Sequence, residues 1–180
     1  MAHYIVLLRG INVGGHGKLP MAQLRTVLAE LGATGVQTYI QSGNVVMQHA
    51  ETSVSKLEAR IAKAVEQAAD FEPKILVRKR ADFRKEVAAN PFPKAEGEMD
   101  GKALHCFFLA KKPKALDKAE WDASKNRTEN YALVGRVLYL HTPGGLTPSK
   151  LAPKVERRLG VAATARNWRT VQKLLEMSAD

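Results

Sequence analysis

A group of side chains near the start of the chain has the chemistry of an anion-binding site. Arg9 and Lys18 are positively charged, Asn12 carries an amide, and Gly14 and Gly15 lie between them. Glycine lets a ligand approach backbone N–H groups, and a loop that leads into a helix places such groups at the positive end of the helix dipole. Arginine can add two parallel hydrogen bonds to a carboxylate or a phosphate. These residues therefore predict binding of a negatively charged small ligand, for which a phosphate-bearing molecule is one candidate.

The elements that position this loop are a strand, a helix and a hairpin. The apolar run at 3–9 predicts the strand, and apolar residues at helical spacing over 21–31 predict the helix. Two runs rich in β-branched residues, separated by Ser42-Gly43, predict a tight hairpin. The loop lies between the strand and the helix, so the fold decides whether the hairpin lies beside it.

The element order predicts that it does. A second helix beginning at Val54 and a strand at 74–79 complete the order β-α-β-β-α-β of ferredoxin-like folds. In such a sheet the first and second strands run in the same direction, so the loop after strand one and the hairpin after strand two share one edge. The predicted ligand-binding residues at this edge are Arg9, Asn12, Gly14, Gly15, Lys18, Ser42, Gly43 and Asn44.

The second half of the chain repeats the same order. Strands are predicted at 104–110, on both sides of Gly135-Arg136 and at 161–165, and helices at 114–122 and 148–159, the latter entered through Thr147-Pro148. The fold class is therefore α+β, with two ferredoxin-like units, antiparallel sheets and an extra C-terminal helix. The predicted domains are 1–90, with a trailing helix, and 103–180, joined by a connecting loop at 91–102.

Charge and composition restrict the possible partners and compartment. The formal charge is +10, with 13 basic and 11 acidic side chains in residues 1–100 but 15 and 7 in residues 101–180. The basic second half favours nucleic acid as a possible partner, although the same charge also keeps a protein soluble. A single cysteine, Cys106, no targeting segment and no apolar run of about 20 residues predict a cytoplasmic protein without a membrane partner.

Known catalytic and nucleotide-binding motifs do not fit the chain. Asn12 stands where the Walker loop needs a glycine, and Leu19 stands where it needs Ser or Thr. The third glycine of the dinucleotide fingerprint is missing as well. The histidines have no metal-ligand spacing, so no metal and no cofactor are predicted, and catalytic residues stay unknown. An enzyme whose active site lies at the glycine-loop edge, with His16 as a proton carrier, is one alternative function.

A second possible anion or nucleic-acid contact lies near the C-terminus. Arg166, Asn167, Trp168 and Arg169 occur together, with Asn167 placed to cap a helix and Trp168 available to stack on a base. The structural alternative, in which Trp168 anchors the helix to the sheet, is the favoured one.

Three motifs resemble one bacterial family. RGINVGG, QSGNVV and ARNWRTVQKLLEM are similar to the family known as domain of unknown function 1697. The resemblance implies a cytosolic bacterial protein of two ferredoxin-like halves, and it implies no catalytic residues.

The first strand is apolar on both of its faces. Helices cover only one face of a ferredoxin-like sheet, so something else must cover the other alternating set, either Ile5 and Leu7 or Tyr4, Val6 and Leu8. The second half of the chain or a second copy could do so, and a homodimer is therefore a possible assembly.

Overall fold

The computed structural model describes residues 1–69 and 71–179, and its elements follow the predicted order. The first half contains β1 (Ala2–Arg9), α1 (Met21–Glu30), β2 (Thr34–Tyr39), β3 (Asn44–His49), α2 (Val54–Ala69), β4 (Lys74–Lys79) and α3 (Arg80–Ala88). The second half contains β5 (Leu104–Leu109), α4 (Lys118–Ser124), β6 (Asn130–Val134), β7 (Val137–His141), α5 (Val155–Leu159), β8 (Ala163–Asn167) and α6 (Trp168–Met177). Short 3-10 helices lie at Pro93–Ala95, Glu98–Gly101 and Ala152–Lys154.

Both sheets have four strands and the predicted ferredoxin-like strand order. The first is ordered β2-β3-β1-β4 and the second β6-β7-β5-β8, and neighbouring strands pair antiparallel in each. The α+β fold class, the two antiparallel sheets and the C-terminal helix are therefore confirmed.

Contacts between residues divide the chain into two units. The N-terminal unit comprises the described residues between Met1 and Lys85 together with those from Lys173 onward, and the C-terminal unit comprises Glu86–Gln172. The domain limits expected from the sequence, 1–90 and 103–180, stay a prediction.

Alternation along β1 explains the core of the N-terminal unit. Tyr4, Val6 and Leu8 point to one face and pack with apolar residues of α1 and α2, including Leu24 and Ile61. The other alternating set, Ile5 and Leu7, is also fully buried. Burial of each such side chain contributes about 1.5–3 kcal/mol. The uniformly apolar sequence of β1 therefore fits a strand that is buried on both faces.

The second helix of the C-terminal unit is much shorter than predicted. The prediction of a helix over 148–159, capped by Thr147, is wrong, because only Val155–Leu159 is α-helical. The hydroxyl of Ser149 accepts hydrogen bonds from the backbone N–H groups of Leu151 (3.2 Å) and Ala152 (3.0 Å), which holds a turn instead. Serine competes with helix hydrogen bonding in this way.

No helix in the part of the chain that the structure describes combines the length and apolar character needed to span a bilayer.

Candidate functional site

The glycine loop (residues 10–19) and the β2–β3 turn (residues 40–43) lie side by side. The backbone N–H of Leu8 donates to the carbonyl oxygen of Gly43 at 2.8 Å, and the side-chain amide of Asn12 donates to the carbonyl oxygen of Gln41 at 2.8 Å. The predicted shared edge is therefore confirmed. This edge, formed by the glycine loop, the β2–β3 turn and the start of α1, is called the rim below.

Asn12 joins the two ends of the glycine loop to each other and to the β2–β3 turn. Its Nδ2 also donates to the carbonyl oxygen of Leu19 at 2.9 Å, and its Oδ1 accepts from the backbone N–H of Leu19 at 2.9 Å. Its backbone is left-handed, with φ of 53°, a conformation that asparagine tolerates better than most residues. The amide of Asn12 thus stabilises the loop, so its contribution to a site is to hold the loop in shape.

The glycine loop folds as a miniature hairpin. Asn12 N–H donates to the carbonyl oxygen of Gly17 at 2.9 Å, and His16 N–H donates to the carbonyl oxygen of Val13 at 3.0 Å. The two residues at the tip, Gly14 and Gly15, have φ of 59° and 79°, and no heavy atom lies within 4 Å of a Cβ added at either position. The tip is therefore ordered, and its backbone is open to an approaching group.

The hairpin side of the rim is more enclosed. Gly43 is buried, and a Cβ added there would lie 2.6 Å from Leu8 Cβ. Asn44 is fully buried, and its Nδ2 donates to the hydroxyl of Ser42 at 2.9 Å and to the carbonyl oxygen of Tyr39 at 3.2 Å. Gly43 and Asn44 consequently lie beneath the rim, while Ser42 is half-buried at its surface.

The charged side chains at the rim are all basic. The sequence has no acidic side chain before Glu30, and none between Glu30 and Glu51, so neither the glycine loop nor the β2–β3 turn carries one. Lys18 is exposed and Arg9 is half-buried. Helix α1 begins after Pro20 with no capping side chain and no acidic residue in its first turn. Its first N–H groups therefore add a partial positive charge to the rim.

Two exposed apolar side chains at the rim were not predicted. Val13 is 65% exposed and Ile40 is 53% exposed. Ile40 also has φ of 48°, which is unusual for a β-branched residue and costs about 1–3 kcal/mol. The sequence signal for Val13 was its place among glycines in a loop, whereas the strain at Ile40 could be found only from the backbone.

Comparison with known proteins agrees with this fold. Residues 1–139 match the model of a family described as "Protein of unknown function (DUF1697)". The chain belongs to the DUF1697 family. The match includes RGINVGG and QSGNVV and ends before the ARNW segment at 165–168. No curated protein matches the chain.

A solved structure shares the fold over almost the whole length of this DUF1697 chain. It is described as the conserved bacterial protein SP0830 from Streptococcus pneumoniae, with a TM-score of 0.69, 23% sequence identity, and coverage of 99% of each chain. At this level of identity, the likeness supports the fold and does not extend to a ligand or an activity.

The second predicted contact of the DUF1697 protein is largely internal. Asn167 caps α6, because its Oδ1 accepts from the backbone N–H of Thr170 at 2.9 Å, as predicted. Trp168 is only 3% exposed, which fits the structural alternative. Burial lowers the pKa of Arg166 to about 10. Arg169 is exposed and forms an ion pair with Asp100. Arg169 is therefore the more exposed of the two arginines, and its charge is paired with that of Asp100.

The single cysteine, Cys106, lies buried in β5. Cys106 is 1% exposed, and its pKa is raised by burial and, to a smaller extent, by Glu86 and Glu96, so its thiol stays protonated. Among residues 1–69 and 71–179, no three His, Cys, Asp or Glu side chains are grouped so that they could hold a metal ion.

Proposed function

We propose that the rim binds a small anionic ligand, with a phosphate group as the best match. The observation that carries this proposal is the convergence at Asn12, which fastens the two ends of the glycine loop to each other and to the β2–β3 turn, two segments without acidic side chains. A fixed loop loses little conformational freedom when a ligand binds, because its shape is already set.

The backbone at the tip of the loop would supply the hydrogen bonds. The N–H groups of Gly14 and Gly15 donate to no acceptor within the described part of the chain, and both residues are exposed. Lys18 would add a full charge, and Arg9 could contribute through its half-buried guanidinium. Asn12 and Asn44 would shape the site, and Ser42 would border it.

A pyrophosphate titration tests this proposal. Pyrophosphate should bind the full chain with measurable heat at low salt, and Lys18→Gln should weaken binding about tenfold. The reason is that a hydrogen bond to a charged group contributes about 1.5–3 kcal/mol, and about 1.4 kcal/mol corresponds to a factor of ten. The measurement is isothermal titration calorimetry of the wild type and the variant at one ionic strength.

Lys63→Gln is the matched control. Lys63 is exposed on α2 and belongs to none of the three segments of the rim, so its loss removes one positive charge without removing a residue of the site. Equal affinities of the Lys18 and Lys63 variants would mean that only overall charge attracts pyrophosphate. That result, or the absence of any heat, would refute the rim as an anion site.

A second candidate function is nucleic-acid binding by the C-terminal unit. The backbone N–H of Leu109 donates to the carbonyl oxygen of Arg136 at 2.9 Å, which places the β6–β7 turn beside the β5–α4 loop in the same way as at the rim. The positively charged side chains exposed on these two segments are Lys111, Lys112, Lys114 and Arg136. Four exposed cations on two neighbouring segments favour a phosphate backbone over a single small anion.

Salt dependence distinguishes this candidate from the small-ligand site. If the four cations each contact a phosphate, the binding constant for a labelled duplex should fall with salt, with a log–log slope of roughly −3 to −4. The variant Lys111→Gln/Lys112→Gln should flatten that slope by roughly 2 in fluorescence anisotropy. Lys56→Gln/Lys63→Gln, on exposed positions of α2, removes the same charge and should leave the slope unchanged. Identical slopes in both double variants would refute this second candidate.

A further inference from the structure

The C-terminal unit contains a cleft that neither candidate function uses. Its volume is about 650 Å³, within the range of small-molecule sites. The cleft lies beside β6, which is the edge strand of its sheet. It is lined by Phe92, Leu116, Lys118, Asp122, Lys125, Asn130, Tyr131 and Leu133.

One part of the cleft wall is apolar. Tyr131 and Leu133 are two residues apart on β6, so their side chains point to the same face of the strand. Both pack against the core cluster of this unit, and so does Leu116, which precedes α4. The ring of Tyr131 lies 5.1 Å from that of the buried Trp121, measured between centroids, which holds the tyrosine in place. Phe92 provides a further aromatic surface. A fixed wall of this kind suits a ring or a branched aliphatic group.

The charged groups of the cleft are unequally available. The hydroxyl of Tyr131 donates to Asp122 Oδ1 at 2.9 Å, and Lys125 Nζ donates to the carbonyl oxygen of Glu129 at 3.0 Å. The pKa of Tyr131 is raised to about 12, chiefly by burial and then by Asp122, so the hydroxyl keeps its proton at neutral pH. Tyr131 also donates to the backbone carbonyl oxygen of Lys118 at 3.3 Å, whereas the ammonium group of Lys118 makes no hydrogen bond or ion pair within residues 1–69 and 71–179. Of the two lysines in the lining, Lys118 is thus the one whose charge is available to a ligand.

We propose that this cleft binds a small apolar carboxylate, with its ring or branched chain against Leu116, Tyr131 and Leu133 and its carboxylate at Lys118. A cationic ligand fits less well, because the lining has two lysines against one carboxylate and that carboxylate already accepts a hydrogen bond from Tyr131. The inference concerns the C-terminal unit and does not depend on the rim.

The dye 1-anilinonaphthalene-8-sulfonate is a suitable probe, since it combines an apolar aromatic body with one negative charge. The full-length protein should bind it saturably at one site, with a rise in fluorescence. Lys118→Gln and Leu133→Asn should each weaken binding about tenfold, as expected for loss of a hydrogen bond to a charged group or of apolar contact. Phenylacetate should displace the dye, whereas the uncharged phenylacetamide should not.

Val134→Asn is the matched control. Val134 follows Leu133 on β6 and points to the opposite face, where it is 41% exposed, so this variant should bind the dye as the wild type does. Thermal unfolding of each variant separates lost binding from lost folding, and Lys118→Gln changes only an exposed side chain. Unchanged affinity in Lys118→Gln, equal displacement by phenylacetamide, or loss of dye binding in Lys18→Gln instead would overturn the proposal.

Discussion

Replacing Gly43 with alanine should lower the free energy of unfolding by about 2–5 kcal/mol. Two costs add: about 1–2 kcal/mol for a left-handed backbone with a side chain, and about 1–3 kcal/mol for overpacking. Gly43 has φ of 72°, and the added Cβ would lie 2.6 Å from Leu8 Cβ and 2.9 Å from Ile11 Cδ1. The measurement is urea unfolding followed by far-UV circular dichroism.

Gly15→Ala separates the two costs. Gly15 has a similar φ of 79°, but nothing lies within 4 Å of an added Cβ, so only the backbone cost of about 1–2 kcal/mol applies. Gly43→Ala should also weaken pyrophosphate binding, because Leu8 and Ile11 must move and the glycine loop is attached to them. Equal losses of stability in the two variants would contradict the close packing beneath the rim.

Local sequence patterns were sufficient for most of the first half of the chain. The strand at Lys74–Lys79 and the helix beginning at Val54 occur where alternation and helical spacing place them. These patterns are local, because each reports which face of one element is buried. The shared edge then followed from topology alone, since strand order fixes which loops are neighbours.

The roles of individual rim residues could not be predicted in the same way. Asn12 and Asn44 were candidate ligand contacts because both are polar and close to the loop. The side-chain amide of Asn12 donates to the carbonyl oxygen of Gln41, which is distant from it in the sequence. The side-chain amide of Asn44 donates to the carbonyl oxygen of Tyr39, on the other side of the β2–β3 turn. Backbone groups must find partners when they are enclosed, and which side chain serves them depends on tertiary distances.

The short helix α5 shows the same limitation in a local segment. Apolar spacing favoured a helix from residue 148. However, the hydroxyl of Ser149 accepts hydrogen bonds from two backbone N–H groups, and Pro153 has no backbone N–H that could donate to a helix hydrogen bond. The spacing of apolar residues shows which side chains are buried. It does not show whether a backbone N–H group will donate to a helix carbonyl or to a nearby side-chain hydroxyl.

His105 should make the C-terminal unit lose stability in mild acid. It is 7% exposed on β5, burial lowers its pKa to about 4, and its Nδ1 is buried without a hydrogen-bond partner. Between pH 6.5 and pH 4 the unfolded chain binds a proton that the folded chain does not, so stability falls as pH falls through this window. The contribution is about 3 kcal/mol, since each pKa unit corresponds to about 1.4 kcal/mol.

His105→Leu should remove this part of the pH dependence while keeping the apolar packing of its face. Both tryptophans, Trp121 and Trp168, belong to the C-terminal unit, so urea unfolding followed by tryptophan fluorescence at pH 4, 5, 6 and 7 reports on the relevant residues. Cys106→Ala is the matched control, because it changes the neighbouring buried residue on the opposite face without removing a group that titrates in this range. It should lower stability by the same amount at every pH. If His105→Leu kept the full acid sensitivity of the wild type, the buried neutral histidine would not be its cause.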